Sequence, residues 1–227
     1  MKYIIMCGGK YDAWSTPRQL TEISGEPIVM RTIRLLRESG VTDIAISTSD
    51  ERFAVCGVPL LQHDNEFTVH GKDNCDGTWV NCFYPMDEPC CYLMGDVVFS
   101  PEAIRTIVET KVWCVEFFAS APPFDERYIK RYAEPFAFKV ANQKVFRQAV
   151  KFVKMFHETT MFDRPPIAWE LWQVIRGEPV NDIDYESYVA INDYTCDIDK
   201  EEDVRKLKEV LDGQNTDTRL SEADVVC

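Results

Sequence analysis

The sequence predicts an α/β fold in which a single, mostly parallel sheet is flanked by helices, and three observations support this prediction. Residues 3–7, YIIMC, form an apolar run typical of a buried strand. Residues 27–39 space their apolar side chains as a helix does, and a glycine follows them. Residues 43–48, DIAIST, have the composition of a second strand. A strand–helix–strand unit of this kind joins two parallel strands by a right-handed crossover.

The alternation of strand and helix patterns continues along the chain, which favours one α/β domain. We expect this domain to span 1–212 and the polar residues 213–227 to form a flexible tail. Residues 62–89 are rich in Asn, Asp, Gly and Pro and are predicted to form a long loop. The other predicted strands are 58–61, 91–94, 112–118, 134–140 and 188–191, and the other predicted helices are 100–109, 142–156, 168–176 and 200–211.

The composition of the chain excludes several classes of protein. The 227 residues carry a net charge of −13, whereas a general nucleic-acid binder needs a basic face. No apolar run approaches the roughly 18 residues that a membrane-spanning helix needs. The first residues also lack the length and charge pattern of a secretory signal peptide. We therefore expect a cytoplasmic protein whose partners include neither nucleic acid nor a membrane.

The nine cysteines are predicted to be free thiols. Their number is odd, no pair has C-x-x-C spacing, and several lie inside apolar runs. Disulfides are also disfavoured in a chain expected to be cytoplasmic. The alternative is a zinc site, although its spacing matches no familiar zinc motif. Its ligands would be His70, Cys75, Cys82 and Cys90.

Two glycines follow the first predicted strand and are the first candidate binding residues. Glycine lets the backbone turn sharply after a strand and approach a ligand closely, because it has no Cβ. Successive backbone N–H groups in such a turn bind phosphate oxygens. Gly8 and Gly9 are therefore candidates for a phosphate site, with a plain strand-to-loop turn as the alternative.

The motifs around these glycines resemble the N-terminal signature of the nucleotidyltransferase superfamily, which includes sugar-1-phosphate nucleotidyltransferases and alcohol-phosphate cytidylyltransferases. That signature is an apolar strand with A-G-G-x-G-[ST]-R, then P-K, then G-x-P-[LI]. The matching residues are Cys7-Gly8-Gly9, Pro17-Arg18 and Gly25-Glu26-Pro27-Ile28. The resemblance implies a Rossmann-like, GT-A-type mixed sheet, and it implies an NTP that is bound by Cys7, Gly8 and Gly9.

The chain departs from this signature at two places. Tyr11-Asp12-Ala13 stands where the superfamily has G-[ST]-R, so the arginine of the loop is missing. Arg18 stands where the superfamily has lysine, and it keeps the positive charge but presents planar, bidentate donors. Lys10 is a candidate to restore the lost charge of the loop. Arg18 and Lys10 are accordingly predicted as catalytic residues that stabilise the leaving pyrophosphate.

Two aspartate segments are predicted to bind Mg²⁺. Asp96 follows a buried apolar run, at the place where the superfamily has a Gly-Asp whose aspartate binds Mg²⁺. Residues 193–203 resemble the superfamily's late D-[IV]-D-T-x-E-D segment, which implies metal carboxylates from Asp197 and Asp199. The alternative for Asp199 is an N-cap of the following helix, with Glu202 as its capping-box partner.

The resemblance also implies residues that contact the phosphate of an acceptor. Glu134-Pro135 is similar to the superfamily's E-K-P element, but the lysine between them is absent. Lys139 is therefore predicted as the catalytic residue that steadies the acceptor phosphate, and Lys130 is a second candidate. The alternative for each lysine is a solvated side chain.

The remaining predicted contacts are those to the acceptor and to the nucleobase. Arg164, Trp169 and Glu170 are candidates to line the acceptor pocket, with a place in the core as the alternative for the tryptophan. Gly77 and Thr78 fall where the superfamily has a Gly-Thr that contacts the base, so they are predicted to bind the nucleotide.

These motifs predict a Mg²⁺-dependent nucleotidyltransferase that joins an NTP to a small phosphorylated acceptor and releases pyrophosphate. The resemblance implies a sugar-1-phosphate or an alcohol phosphate as the acceptor. One alternative is a GT-A-type glycosyltransferase that uses a nucleotide-sugar, because Asp197-Ile198-Asp199 is a D-x-D sequence. Another alternative is a nucleotide-binding protein without catalysis, because the phosphate loop is altered. A homo-oligomer is compatible with each interpretation.

Overall fold

The computed structural model describes residues 1–8, 16–62, 80, 82–164 and 166–223, with side chains described as far as 213. The strands are β1 Lys2–Met6, β2 Glu22–Ile23, β3 Glu26–Pro27, β4 Ile44–Thr48, β5 Leu60–Gln62, β6 Cys90–Met94, β7 Val97–Val98, β8 Val115–Ser120, β9 Glu134–Val140, β10 Val189–Ala190 and β11 Cys196–Asp197. The helices are α1 Ile28–Glu38, α2 Pro101–Glu109, α3 Gln143–Glu158, α4 Ala168–Arg176 and α5 Glu201–Ala223.

The main sheet has seven strands in the order β10-β8-β9-β6-β1-β4-β5. β1 lies inside this sheet and pairs in parallel with both β6 and β4, and β5 continues the parallel arrangement. β9 is antiparallel to its neighbours β6 and β8, while β10 is parallel to β8. The sheet is therefore mixed and mostly parallel, which confirms the predicted fold class.

Alternating residues of the sheet supply a hydrophobic core on each face. Ile5 packs in the core that includes Val29 of α1 and residues of α2. Ile4 packs in the other core, together with Phe146 of α3 and Trp169 of α4. Both isoleucines are fully buried, and each such side chain stabilises the fold by about 1.5–3 kcal/mol. The two helical layers thus hold β1 in place and fix where its C-terminal end lies.

The predicted strand at 112–118 is displaced in the structure, where β8 begins at Val115 and continues to Ser120. The backbone before Val115 has a different partner, because the carbonyl of Cys114 accepts hydrogen bonds from the N–H groups of Ala141 and Asn142 at 2.8 and 2.9 Å. Local periodicity gives no sign of this contact. The strand at Glu134–Val140 and the helix at Ala168–Arg176 have their predicted bounds.

A small ribbon outside the main sheet carries the last helix. β7 and β11 pair in antiparallel fashion, and α5 follows β11 directly. Ile198, Leu207 and Leu211 are buried with Ile28 in a third core cluster. α5 continues to Ala223, so the backbone of the predicted tail is helical as far as that residue. The flexibility of residues 213–227 stays a prediction.

The cysteines that the structure describes are free thiols, as the sequence predicts. Two of the four residues of the alternative zinc site, His70 and Cys75, lie outside the described residues. None of the helices in the described part of the chain has the length and apolar character needed to cross a membrane. The described free cysteines are Cys7, Cys56, Cys82, Cys90, Cys91, Cys114 and Cys196.

Candidate functional site

A cleft of about 220 Å³ opens where β1 and β6 end, and we call it the sheet-edge cleft. The two strands are parallel neighbours, so their carboxyl ends meet at the edge where α/β sheets bind ligands. The lining combines apolar side chains with charged groups from distant parts of the sequence. It includes Met6, Gly8, Arg18, Met94, Asp96, Pro135, Ile167, Ala168 and Asp197.

Gly95 allows the ends of β1 and β6 to approach each other closely. Its N–H donates a hydrogen bond to the carbonyl oxygen of Met6 at 3.1 Å. A Cβ at this position would lie 2.2 Å from that oxygen and 2.9 Å from the Sγ of Cys7. Only glycine fits this approach, and it places Asp96 in the cleft beside the strand end that leads to Gly8.

Arg18 reaches the cleft from a single turn of 3-10 helix, Arg18–Leu20, that follows Pro17. Its guanidinium donates to the carboxylate of Asp96, to Asp199 Oδ1 at 2.9 Å and to the carbonyl of Ile198 at 2.8 Å. The residue is only 8% exposed. Arg18 therefore joins the segment after β6 to the segment after β11 through charge-assisted hydrogen bonds.

The β7–β11 ribbon brings Asp197 to the same cleft. Asp197 pairs with Val97 across the ribbon, and the N–H of Ile198 donates to the carbonyl of Asp96 at 3.0 Å. Asp96 and Asp197 both line the cleft as a result. Two motifs that lie far apart in the sequence thus supply two carboxylates to one place.

Lys130 is the second cation of the site, and it lies among several carboxylates. Its ammonium donates to Asp197 and to Asp199 Oδ2 at 2.9 Å. Asp203 Oδ2 lies 3.2 Å from the ammonium and Glu134 Oε1 lies 3.6 Å from it. The side chain of Lys130 is 7% exposed. We call Glu134, Asp197, Asp199 and Asp203 the carboxylate cluster.

Tyr132 closes this part of the site from the loop before β9. Its hydroxyl donates to Asp199 Oδ2 at 2.9 Å, and the ammonium of Lys130 lies 5.3 Å from the centroid of its ring. Asp199 thus accepts hydrogen bonds from Tyr132, Lys130 and Arg18. Sequence reasoning did not find Tyr132, since the loop has no periodic pattern that would indicate which side chains point inward.

The pKa values at the site follow from burial and from the distribution of charge. Burial raises the pKa of Asp96, and the negative charge of Asp197 adds to this effect against the opposing charge of Arg18. Burial raises the pKa of Glu134 to about 9, and the negative charge of Asp197 adds to this effect against the opposing charge of Lys130. Burial alone would raise the pKa of Asp199, but hydrogen bonds and charge from Lys130 lower it.

The structure corrects the alternative interpretation of Asp199 as an N-cap. Its carboxylate pairs with Arg18 and Lys130 instead. Asp203, the third residue of α5, binds the backbone at this helix end, because its Oδ2 accepts hydrogen bonds from the N–H groups of Asp199 and Lys200 at 3.0 and 3.1 Å. Glu202 does not act as a capping-box partner of Asp199 and forms an ion pair with Lys206 at 2.9 Å.

The donor set of the cleft fits Mg²⁺ when phosphate oxygens complete the coordination. Mg²⁺ prefers oxygen ligands and usually takes one or two carboxylates together with substrate phosphates. Asp96 and Asp197 supply two such carboxylates. Within the described part of the chain, no group of three His, Cys, Asp or Glu side chains is arranged as a metal centre of protein ligands alone. The two carboxylates thus fit a Mg²⁺ ion that takes its remaining oxygen ligands from another source.

Lys139 does not lie at this site, which corrects the prediction that it steadies the acceptor phosphate. Its ammonium donates to the carbonyls of Ile107, Val108 and Thr110 at 2.9, 2.8 and 2.6 Å. Lys139 therefore caps the C-terminal end of α2. It is separated from Glu134 by five residues of an extended strand, which is about 17 Å, so the two side chains reach opposite ends of β9.

The predicted acceptor residues differ in their surroundings. Glu170 is buried, and its carboxylate accepts a hydrogen bond from the N–H of Ile167 at 2.8 Å and pairs with Arg164 at 2.6 Å. The side chain of Arg164 is half exposed. Trp169 is buried in the core, where its ring lies edge-on to Phe117 at 4.9 Å. The position of Trp169 therefore agrees with the alternative interpretation, in which it is a core residue.

Four predicted residues of the nucleotide site lie outside the described residues, namely Gly9, Lys10, Gly77 and Thr78. The described residues at the end of β1 are hydrogen-bonded to β4. The N–H of Cys7 donates to the carbonyl of Ser47 at 2.9 Å, and the hydroxyl of Thr48 donates to the carbonyl of Cys7 at 2.9 Å. Cys7 therefore anchors the end of β1 to β4.

The fold of the chain is similar to those of several solved structures. A protein described as a glucose-1-phosphate thymidylyltransferase from Bacillus anthracis, in complex with a sucrose, matches with a TM-score of 0.59 over 92% of this chain and 94% of its own. The chain has the nucleotidyltransferase fold. The two sequences are only 16% identical, so the likeness concerns the fold alone.

Two further structures share this nucleotidyltransferase fold with the chain. HddC from Yersinia pseudotuberculosis, complexed with GMP-PN, matches with a TM-score of 0.51 at 15% identity over 92% of this chain and 99% of its own. Rv0371c from Mycobacterium tuberculosis H37Rv matches with a TM-score of 0.51 at 13% identity over 92% of this chain and 96% of its own. No protein-family model matches the sequence, and the curated proteins gave no match either.

Proposed function

We propose that this chain is a Mg²⁺-dependent nucleotidyltransferase that joins an NTP to a small phosphorylated acceptor and releases pyrophosphate. The observation that carries the proposal is the convergence of Arg18, Asp96 and Asp197 on the sheet-edge cleft. These residues belong to three separate motifs of the superfamily signature. A solved structure of the same fold is described as a glucose-1-phosphate thymidylyltransferase, which supports a sugar-1-phosphate as the first acceptor to test.

In this proposal the end of β1 binds the triphosphate. Gly8 lines the cleft, and the backbone N–H groups of Gly8 and Gly9 contact phosphate oxygens. Arg18 and Lys10 stabilise the negative charge that develops on the leaving pyrophosphate. Gly77 and Thr78 remain the predicted contacts to the nucleobase.

The reaction is an in-line displacement at the α-phosphorus of the NTP. An oxygen of the acceptor phosphate forms the new P–O bond while the bond from the α-phosphorus to pyrophosphate breaks. A phosphate monoester is already an anion at pH 7, so the chain needs no base to activate it. The protein's contribution is to align the two phosphates and to stabilise charge.

Asp96 and Asp197 are the residues that would hold Mg²⁺ together with the phosphates of the NTP. When bound, Mg²⁺ supplies Lewis-acid stabilisation of the charge on the reacting phosphate. Asp199 lies next to these residues and accepts hydrogen bonds from Arg18 and Lys130. These contacts support a role of Asp199 in positioning the side chains of Arg18 and Lys130, in addition to its predicted role as a metal ligand.

The acceptor is proposed to bind against the part of the cleft that Pro135, Ile167 and Ala168 line. Arg164 stands shortly before α4, and its half-exposed side chain offers a positive charge to the acceptor phosphate. Glu134 begins β9 beside Pro135 and stays the proposed acceptor residue of that strand.

The test is an assay of pyrophosphate release with each of the four NTPs and dTTP, in the presence of Mg²⁺ and a panel of sugar-1-phosphates and alcohol phosphates. The proposal expects release with one preferred pair of substrates. It also expects Asp96→Asn to abolish that release, whereas Asp87→Asn is the matched control, because Asp87 is an exposed aspartate that pairs with Arg147.

The same assay separates the two alternatives. Release of a nucleoside diphosphate from a nucleotide-sugar, without pyrophosphate from any NTP, would favour a glycosyltransferase. Binding of an NTP without any turnover across the panel would favour a nucleotide-binding protein without catalysis. Either result would contradict the proposed nucleotidyl transfer.

A further inference from the structure

We propose that the ammonium of Lys130 occupies a cation position inside the carboxylate cluster, so that the cluster holds one divalent cation fewer than its carboxylates would otherwise bind. Lys130 is then a positioning residue that orients Asp197 and Asp199, and it does not contact the acceptor phosphate. This inference deepens the proposed function and rests on it for the use that the carboxylates serve.

The first observation is the geometry around the ammonium. Lys130 Nζ hydrogen-bonds to Asp197 and, at 2.9 Å, to Asp199, and Asp203 lies 3.2 Å away. An ammonium has three N–H donors, and three carboxylates lie within reach of them. Two of the three donors of Lys130 are therefore used by aspartates of the cluster, and the third faces a site that Asp203 and Glu134 also surround.

The second observation concerns Glu134, which lies in β9 and not in the aspartate segment 193–203. Its Oε1 is buried and has no hydrogen-bond partner among the described residues. The same oxygen lies 3.6 Å from Lys130 Nζ, and the side chain is only 3% exposed. Buried polar oxygens normally have a hydrogen-bond donor. Because this oxygen faces the ammonium of Lys130, it indicates a cation-binding position.

The chemistry of the cluster fits a divalent cation once the ammonium is gone. Carboxylate oxygens are the ligands that Mg²⁺ and Mn²⁺ prefer. Asp197, Asp199, Asp203 and Glu134 all face one point, which Lys130 Nζ fills.

The test is the number of Mn²⁺ ions bound per chain, measured by titration with the electron paramagnetic resonance signal of free Mn²⁺. Lys130→Met removes the ammonium and keeps a long side chain. We expect Lys130→Met to bind about one Mn²⁺ more per chain than the wild type, because the vacated centre offers several oxygen ligands. Lys130→Arg keeps the charge and is expected to bind as many ions as the wild type.

A lysine in a different environment provides the matched control. Lys139 is also a buried lysine, but its ammonium is held by three backbone carbonyls. Lys139→Met is therefore expected to leave the number of bound Mn²⁺ ions unchanged. If it also raised that number, the gain would be a general effect of removing a lysine, and the inference would be overturned.

A measurement of stability keeps the test valid if Lys130→Met folds poorly. Without the ammonium the aspartates of the cluster repel one another, so the melting temperature of the variant is expected to fall in EDTA. Mn²⁺ is expected to raise the melting temperature of the variant by more than that of the wild type, since a bound ion stabilises the folded state. An equal rise in both chains would overturn the inference.

The outcomes separate this inference from the proposed function. Equal numbers of Mn²⁺ on the wild type and on Lys130→Met would overturn the cation position, while binding of Mn²⁺ to the wild type would still support the proposed metal role. In a third outcome, the wild type binds no Mn²⁺ in the presence of an NTP, whereas Lys130→Met binds about one ion per chain. This outcome would support the cation position and contradict the proposed metal role of Asp96 and Asp197.

Discussion

Arg18 and Asp96 form an ion pair at the sheet-edge cleft, although 78 residues separate them in the sequence. The pair is largely buried, with side-chain exposures of 10% and 17%. Arg18 also pairs with Asp199 at 2.9 Å, so one guanidinium links the segment that follows Pro17 to the aspartate after β6 and to the aspartate after β11. The candidate site is therefore held together by the same charges that are proposed to act on the substrates.

We expect Arg18→Ala to lower turnover about a hundredfold, which is the usual cost of losing one donor to a transition state. Its removal also leaves the buried Asp96 without its counter-charge, so the free energy of unfolding should fall by about 3 kcal/mol. Pyrophosphate release and urea denaturation measure the two effects. The control is Arg52→Ala, since Arg52 pairs with Asp50 at the surface. Unchanged turnover in Arg18→Ala would exclude Arg18 from the mechanism.

Gly95→Ala should disturb the ends of β1 and β6. The added Cβ would lie 2.2 Å from the carbonyl oxygen of Met6. This oxygen belongs to the backbone of β1, so it cannot move away without distorting the strand. We expect a loss of about 1–3 kcal/mol of unfolding free energy, as for other overpacked sites, together with weaker nucleotide binding. Gly213→Ala is the matched control, because no heavy atom lies within 4 Å of its added Cβ, and it should stabilise helix α5 by about 0.5–1 kcal/mol.

Lys139→Met should reduce stability without changing nucleotide binding. Its ammonium donates to three carbonyls at the end of α2, and hydrogen bonds to a charged group contribute about 1.5–3 kcal/mol. We expect a loss of about that size in urea denaturation and an unchanged Kd for the NTP in calorimetry. If the Kd for the NTP instead rose tenfold or more in a folded variant, Lys139 would have to contribute to nucleotide binding, and the prediction would be contradicted.

Glu170 is expected to give the fold a dependence on pH. Burial raises the pKa of Glu170 in the folded chain above the usual 4.5 of a glutamate side chain, against opposing effects of the Ile167 N–H and Arg164. The folded state therefore binds this proton more tightly, and the wild type loses stability as the pH rises from about 4.5 toward the folded pKa. Glu170→Gln removes this loss, so the variant should gain stability relative to the wild type over that interval.

The control for this prediction has the opposite sign. A hydrogen bond with Lys206 lowers the pKa of Glu202 in the folded chain, so Glu202 contributes stability above its unfolded pKa and loses it as the pH falls. Glu202→Gln should therefore lose stability relative to the wild type as the pH rises past the folded pKa. Urea denaturation at several pH values measures both variants, and equal slopes would contradict the prediction.

Much of the fold could be predicted from the sequence because its signals are local. The strand at Lys2–Met6 is, from Tyr3 onward, a continuous apolar run that is buried on both faces. The helix at Ile28–Glu38 shows clear periodicity, and its apolar face is the buried one. Helix α5 was predicted to end near Leu211, where the apolar spacing stops, whereas its backbone continues to Ala223. Apolar periodicity marks the packed part of a helix, so it does not show where an exposed helix ends.

The site was predictable where a motif combined a strand end with a charged residue, as at Asp96. It was not predictable where the contact depends on a loop, as at Tyr132. The prediction that Lys139 lies at the site was wrong for a reason that strand geometry explains. Five residues of strand separate Lys139 from Glu134, about 17 Å, whereas the loop before β9 returns Lys130 to the start of the strand.

The measurement that tests the central claim most directly is calorimetric binding of the four NTPs and dTTP to the wild type and to Asp96→Asn, each with Mg²⁺ and with EDTA. The account predicts that one nucleotide binds the wild type at least about tenfold more tightly with Mg²⁺, a difference of roughly 1.4 kcal/mol, and that Asp96→Asn loses this difference. Equal affinity with Mg²⁺ and with EDTA, or no binding of any nucleotide, would contradict it.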